Sequence, residues 1–306
     1  LMAKKDTTSL GFEEKIWKAA DELRGNLNAS EYESIVLGLI FLKYISDKFE
    51  MKYQELLADE DADEEDVDEY IACNVFFVPE EARWSVISKN AKNPVIGEVI
   101  DNAMRLIEKA NPSLKDILPK DYNRRELDKN RLGNVVEIFS NVEMSADYDE
   151  LDVLGRVYEY CLREFASQEG KNAGEFYTPH EVAMSMSEIV AEHHKDKESL
   201  EIYDPTSGSG SLLITIGKAV SKHIQGKNKV KYYAQELKEN TYNLTRMNLV
   251  MRGILPDNIV TRNGDTLEDD WPYFDENDPI GTYDPLYVDA VVSNPPYSQA
   301  WNPTDK

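Results

Sequence analysis

The sequence predicts two domains of different class: an all-helical N-terminal domain over residues 1–147, then an open α/β domain with a doubly wound parallel sheet over residues 148–306. Three observations carry this division. Up to about Val142, apolar residues recur at helical spacing without strand alternation. Beyond Gly174, short apolar segments alternate with helices, the pattern of parallel strands joined by right-handed crossovers. Between the first such segment and its helix lies a glycine-rich turn, Asp204-Pro205-Thr206-Ser207-Gly208-Ser209-Gly210.

Taken in order, Phe12, Ile16, Ala20 and Leu23 mark a first helix. Ser30 and Glu33 form a capping box ahead of the apolar run Ile35 to Leu42. Asn93-Pro94 supplies a cap followed by proline at a first helical position, and Ile96, Ile100, Ala103 and Ile107 then trace one face. Arg131 to Val142 predicts a further short helix. A long amphipathic helix carries Leu151, Leu154, Tyr158, Cys161, Leu162 and Phe165, and breaks at Gly170 to Gly174. The predicted strands are Leu200–Tyr203, Tyr232–Ala234, Asn258–Thr261 and Val288–Ser293, with helices from about Ser211 to Ile224 and Asn240 to Arg252.

Composition excludes several classes. With 41% hydrophobic and 30% charged residues, the chain reads as globular rather than disordered or fibrous. The longest apolar run falls short of the roughly 18 residues a membrane span needs, and the N-terminus lacks a signal-peptide core, so a cytoplasmic protein is expected. Cys73 and Cys161 lie in apolar stretches without ligand-like neighbours; they read as small core residues, with neither disulfide nor metal. The net charge of −24 is awkward for a nucleic-acid enzyme, whose affinity comes largely from basic residues, and points to a basic partner subunit. Much of the acid is local, in Asp59 to Glu69 and Glu268 to Asp284, and reads as solvated loop or helix faces.

Four motifs carry chemistry. Glycines in Asp204–Gly210 let a ligand approach the backbone at a helix start. The loop lacks both the dinucleotide G-x-G-x-x-G spacing and the Lys-Ser/Thr of a phosphate loop. An acid at Asp204 suits a positive sulfonium better than a pyrophosphate, although an ordinary strand-to-helix turn could carry the same residues. Glu236, at the tip of the second strand, is placed to accept ribose hydroxyls, as a surface glutamate would equally be. Asp265, in Asn263-Gly264-Asp265, is placed to reach a cofactor's adenine amino group, and the same tripeptide makes a plain turn.

The fourth motif is Asn294-Pro295-Pro296-Tyr297, closing an apolar strand. Two prolines remove backbone donors and stiffen the turn, which leaves the Asn294 side-chain carbonyl and the Pro295 carbonyl as acceptors. Two such acceptors hold an exocyclic amine and aim its lone pair at a methyl group, with Tyr297 as a stacking face. In a doubly wound sheet the fourth strand lies beside the first, so Asn294 and the glycine loop meet at one crevice.

These residues resemble the S-adenosylmethionine-dependent amino-methyltransferases, and specifically the adenine methyltransferase (M) subunits of type I restriction-modification systems. The glycine loop, Glu236, Asp265 and the NPPY tetrad correspond in order, and Glu175-Phe176-Tyr177-Thr178-Pro179-His180 matches a segment that in this family helps bind the methionine end of the cofactor. Thr178-Pro179-His180-Glu181 is, by itself, also a good helix start. The resemblance implies a Rossmann-like methyltransferase domain behind a helical one, with S-adenosyl-L-methionine as cofactor and no metal. It implies methyl transfer to the N6 amino group of an adenine flipped out of double-stranded DNA. It also implies a specificity (S) subunit, a restriction (R) subunit and a second M subunit as partners. The alternatives are an amino-methyltransferase acting on RNA or protein glutamine, and a non-catalytic assembly subunit binding cofactor and DNA. Further strands follow the NPPY strand in the family, whereas this sequence stops at Lys306; a sheet cut after its fourth strand is the expectation. Leu1 ahead of Met2 reads as a cloning remnant.

Overall fold

The computed structural model describes residues 17, 18, 20, 21, 23, 27, 29–59, 62–141, 158, 160, 161, 163–165, 178, 180–224, 229–252, 254, 256–268 and 286–296. The chain forms two compact units, Leu1–Phe165 and Ala166–Lys306.

Helices are the regular elements among the described residues of the first unit, as its apolar spacing predicts. Its central element is α1 (Ala29–Leu57), in which every residue from 35 to 42 is buried. A helix apolar on all sides is stable only when covered all round. Tyr70 of α2 (Val67–Ala72) and Trp84 of α3 (Trp84–Lys89) lie against it, and α4 (Ile96–Ala110) and α5 (Lys129–Ser140) pack onto α3. Phe49 of α1 stacks on Tyr70 with ring centres 4.9 Å apart, and the buried Tyr122 donates its hydroxyl to the Ile35 carbonyl at 2.9 Å. The Asp101 carboxylate, buried on α4, accepts the backbone N–H groups of Tyr122 (2.9 Å) and Asn123 (3.1 Å) and so fixes the loop behind it. Tyr158, Cys161 and Phe165 of the predicted amphipathic helix are helical and buried, and Phe165 meets Trp17 (4.9 Å) and Tyr32 (5.1 Å) edge-on.

Three local expectations change. Helix α1 begins at Ala29, so Ser30 lies within its first turn rather than ahead of it. Asn93-Pro94 does not cap α4; the Asn93 side chain accepts the Val95 N–H (3.2 Å) in a local turn, and the helix starts at Ile96. The acidic stretch, expected as solvated loop or helix face, contributes to a helix start: Asp66 caps α2 by accepting the Asp68 N–H at 3.0 Å. Cys73 is exposed at the C-terminal end of α2, not in the core, because the helix turns its Tyr70 inward and leaves Ile71, Ala72 and Cys73 outside.

The second unit contains α6 (His180–His193), β1 (Leu200–Asp204), α7 (Ser211–Val220), β2 (Val230–Glu236), α8 (Glu239–Met251), β3 (Ile259–Asn263) and β4 (Ala290–Val291). All pairings are parallel and the strand order is β3-β2-β1-β4, so the chain reverses after β3 and brings β4 beside β1. That is the doubly wound sheet the alternating pattern predicts. The core of this unit is formed by Ala183 and Ala191 of α6, Leu200 and Ile202 of β1, the apolar face of α7, and Tyr232, Ala234, Leu249 and Val292. Along β1, Leu200, Ile202 and Asp204 are buried in alternation, so Asp204 occupies the core-facing series at the strand's tip.

Three strands are longer than the sequence reading and one is shorter. Asp204 and Glu236 are the last residues of β1 and β2, inside the strands rather than after them. β4 spans two residues instead of six, because the Asp289 side chain accepts the Glu201 N–H (2.9 Å) where a backbone carbonyl would continue the ladder. Backbone bonds from Asp289 N–H to the Glu201 carbonyl and from Val292 N–H to the Tyr203 carbonyl, both 2.9 Å, still hold the segment along β1. Among the described residues, no helix is long and apolar enough to cross a membrane.

Candidate active site

The parallel strands end on one edge of the sheet, where Asp204 pairs in register with Ala234 and Glu236 with Asn263. Glu236 stands at these ends, and beyond them lie the glycine loop, Asp265 and the turn containing Asn294. Several hydrogen bonds tie them together, and most converge on the loop from Asp204 to Gly210.

The loop takes its shape from two glycines with positive φ, Gly208 (55°) and Gly210 (75°), the latter directly preceding α7. A Cβ at Gly210 would stand 3.2 Å from Thr245 Cγ2, so a close approach of α8 reinforces the conformational requirement. The Asp204 carboxylate is buried and accepts the Thr206 N–H (3.0 Å) and its hydroxyl (3.4 Å). Burial pushes the Asp204 carboxyl up to about 7; the bonds from Thr206 oppose the rise and the nearby Glu236 charge adds to it. This acid is thus engaged by its own loop.

Glu236 closes the loop from the second strand. One carboxylate oxygen accepts the Gly208 N–H (3.1 Å) and the other the Lys238 N–H (3.0 Å), so the side chain stands against the glycine turn rather than free in solvent. Asp265 lies on the third strand's exit loop, half-buried, with an oxygen accepting the Leu267 N–H at 2.9 Å. Its neighbour Thr266 donates to the Pro205 carbonyl at 2.5 Å. On the other side, Ser293 lies 2.7 Å, hydroxyl to hydroxyl, from Thr206, which brings the backbone leading into Asn294 onto the same loop. Asn294 and Pro296 are half-buried and Pro295 is exposed.

The residues behind the loop are not evident from the motifs. Thr245 and Asn248 of α8 are both buried. Thr245 donates to the Gly208 carbonyl at 2.6 Å, and Asn248 to the Ser209 carbonyl at 2.9 Å. A threonine hydroxyl carries one proton, so with Thr245 committed to Gly208 the Ser207 hydroxyl, 3.1 Å away, is the donor in their mutual contact. Because peptide groups are planar and trans, carbonyls drawn back toward α8 turn the following N–H groups the other way. Gln235, fully buried at the end of β2, accepts the Tyr203 hydroxyl (2.9 Å) and donates to the Gly264 carbonyl (3.4 Å), joining three strands beneath the loop. The sequence signal for α8 was available: Thr241, Thr245 and Asn248 repeat at helical spacing among buried Leu244, Met247 and Leu249.

Of the remaining candidates, Thr178 is buried, while Glu175, Phe176, Tyr177, Pro179, the His180 side chain and Tyr297 lie outside the described residues.

The sequence model of the N-6 DNA Methylase family matches residues 149–306, slightly more than half of the chain. The chain belongs to this family. That of the HsdM N-terminal domain matches residues 12–139 in addition. Among relatives of this N-6 DNA methylase, the Type I restriction enzyme MjaIX methylase subunit of Methanocaldococcus jannaschii is 32% identical over 94% of the chain and 51% of that protein. The MpnII methylase subunit of Mycoplasma pneumoniae is 29% identical over 95% of the chain and 58% of that protein. The chain therefore spans about half the length of the curated relatives it matches. A crystal structure of the type I restriction-modification system methyltransferase subunit from Streptococcus thermophilus superposes with a TM-score of 0.75 at 28% identity, over 97% of the chain and 65% of that protein. The fold of the family member is accordingly a helical N-terminal region followed by a Rossmann-like parallel sheet.

Proposed function

We propose that this N-6 DNA methylase transfers a methyl group from S-adenosylmethionine to the N6 amino group of adenine within a specific DNA sequence, as the modification subunit of a type I restriction-modification system. One observation supports this above the others. The Ser293–Asn294 turn is hydrogen-bonded to a glycine loop that is itself closed by Glu236, so an amine-holding motif and a nucleoside-binding motif adjoin.

The residues fit the cofactor. Glu236 retains acceptor capacity beside its two backbone contacts for ribose hydroxyls, since a carboxylate has about four lone-pair sites. Asp265 offers a carboxylate to an adenine amino group. Leu237 and Leu267, one and two residues after these acids, are 51% and 59% exposed and offer apolar surface to the flat base. Ser209 Oγ is buried without a hydrogen-bond partner among the described residues, a polar atom that the loop's own bonds leave over. The segment Glu175, Phe176, Tyr177, Thr178, Pro179 and His180 closes the methionine end. Asp204 acts on the cofactor through the loop it holds, together with Ser207, Gly208 and Gly210. When bound, S-adenosylmethionine supplies the electrophilic methyl group.

The chain's own residues then deal with the amine. Asn294 and Pro295 accept its two N–H bonds, Pro296 keeps the turn rigid, and Tyr297 stacks on the base. Held this way, the nitrogen lone pair would be out of conjugation and free to take the methyl group that S-adenosylmethionine would supply as its carbon–sulfur bond breaks, and the excess proton would pass from the nitrogen to solvent. The base reaches this pocket by leaving the duplex. A specificity subunit chooses the sequence and, with a second modification subunit and a restriction subunit, completes the assembly; such partners add positive charge to a chain whose net charge is −24. Residues 1–147 serve as the assembly domain and residues 148–306 as the catalytic domain.

Incubating the full-length protein with its specificity subunit, methyl-labelled cofactor and a mixture of duplex DNA, RNA and protein tests this reading. Label in DNA adenine is expected, whereas label only in RNA or in a glutamine amide, or binding without turnover, contradicts it.

A further inference from the structure

The methyl donor and the accepting amine are held by separate loops, one after β1 and one after β4. Transfer between them depends on their relative placement, and a misplacement of about 1 Å costs roughly 100-fold in rate. Yet the β1–β4 ladder consists of only two residue pairs, Ile202 with Ala290 and Tyr203 with Val291. Its last backbone bond runs from Val292 N–H to the Tyr203 carbonyl, one residue short of Asp204. Past that point the loops diverge: Thr206 belongs to one and Ser293 to the other, and their hydroxyls meet at 2.7 Å. Thr206 is in turn anchored, its N–H and hydroxyl both directed at the buried Asp204 carboxylate. The chain of contacts runs from a buried acid at the tip of β1, through Thr206, to the residue directly before Asn294.

We infer that Thr206 and Ser293 form a positioning pair that sets the amine-holding turn of Asn294 relative to the cofactor loop, so that their hydroxyl contact governs the rate of methyl transfer rather than cofactor affinity. The inference rests on the methyltransferase reading above. A hydroxyl pair is suited to this place because the Thr206 proton is directed at Asp204, which leaves the Thr206 oxygen to accept the proton of Ser293. Glu236 and Thr266 bind the loop at other points, Gly208 and Pro205, and they hold the side of the site that receives the cofactor. Ser293 is the member of this set that adjoins the amine motif, which is why its removal separates rate from affinity.

The test is a double-mutant cycle in the full-length protein assembled with its specificity subunit. Thr206→Val, Ser293→Ala and the double variant are compared with the hydroxyl-retaining Thr206→Ser and Ser293→Thr. Calorimetry reads cofactor affinity, and single-turnover methylation of duplex DNA at saturating cofactor reads the transfer step. Expected are a fall in the transfer rate of about 10-fold or more for Ser293→Ala with cofactor affinity within about 2-fold, and a double variant no slower than the slower single one. The hydroxyl-retaining variants are expected to restore most of the rate. Multiplicative losses in the double variant, affinity falling as much as rate, or unchanged rates overturn the inference. Failure of the unsubstituted assembly to methylate DNA overturns the functional reading and this inference with it, whereas an active parent with an equally active Ser293→Ala overturns the inference alone.

Discussion

Asp204 is a charged group placed where the β1 pattern calls for a core residue, and this has a measurable consequence for stability. Its carboxyl is pushed up to about 7 from an ordinary 3.8, first by burial, with the Glu236 charge adding to the rise. Between these two values the folded protein holds a proton that the unfolded chain has released. Stability therefore falls as pH rises from about 4 to about 7 and levels off above. The full span, about 3 pH units at roughly 1.4 kcal/mol each, is on the order of 4 kcal/mol. Near its isoelectric point, pI ≈ 4.6, the chain approaches zero net charge and associates, so the practical window starts above it. Asp204→Asn removes the titration while keeping an oxygen to accept the Thr206 N–H. Any fixed packing cost of the amide is the same at every pH and drops out of the comparison. Between about pH 5.5 and 8.5 the variant should gain roughly 2 kcal/mol relative to the parent. Urea denaturation followed by circular dichroism at several pH values measures this difference. A difference that is flat with pH, or one that shrinks as pH rises, refutes the assignment of Asp204 as a buried acid with a raised proton affinity.

Other perturbations follow from the same geometry. Gly210→Ala forces a side chain into a left-handed conformation with Thr245 3.2 Å away, and should cost about 1–2 kcal/mol in thermal unfolding and weaken cofactor binding in calorimetry. Asn248→Ala strips the Ser209 carbonyl of its buried donor; a loss of about 1–3 kcal/mol is expected, again with weaker cofactor binding, although Asn248 lies behind the loop and not in the site. In the first unit, Asp101→Ala leaves the N–H groups of Tyr122 and Asn123 without their acceptor. Denaturant unfolding of that variant should show a loss of more than about 2 kcal/mol, with the hydrogen exchange of both amides accelerated.

The sequence made the order of the site legible because its motifs depend on local features. The glycine loop, Glu236 and the Asn294 turn each sit at a change from apolar strand to polar turn, and alternation with helices fixes which sheet edge they share. What brings them into contact is tertiary and left no such trace. The bond from Gly208 N–H to Glu236 joins residues 28 apart, and that between Thr206 and Ser293 joins residues 87 apart; nothing local in either segment specifies its partner. Thr245 and Asn248 were missed because polar residues on a helix read as its solvent face, whereas here they face loop carbonyls. Asn93-Pro94 misled for a related reason. The asparagine satisfied a turn N–H instead of a helix end, and single-residue preferences do not separate the two. Cys73 was assigned to the core from its apolar neighbours, but a six-residue helix can bury only one face, and Tyr70 took it. The fourth strand is shorter than its apolar run at the N-terminal end because the Asp289 side chain takes the Glu201 N–H in place of a backbone carbonyl.

The most direct test of the central claim is the nucleoside product formed by the parent and by Asn294→Ala, with the full-length protein in complex with its specificity subunit. Digestion of duplex DNA after reaction, followed by mass spectrometry, should yield N6-methyladenine from the parent and a loss of at least about 100-fold in the variant, with cofactor affinity in calorimetry kept within about 2-fold. Undiminished N6-methyladenine from Asn294→Ala would contradict the assignment of the Asn294 turn as the amine-holding element.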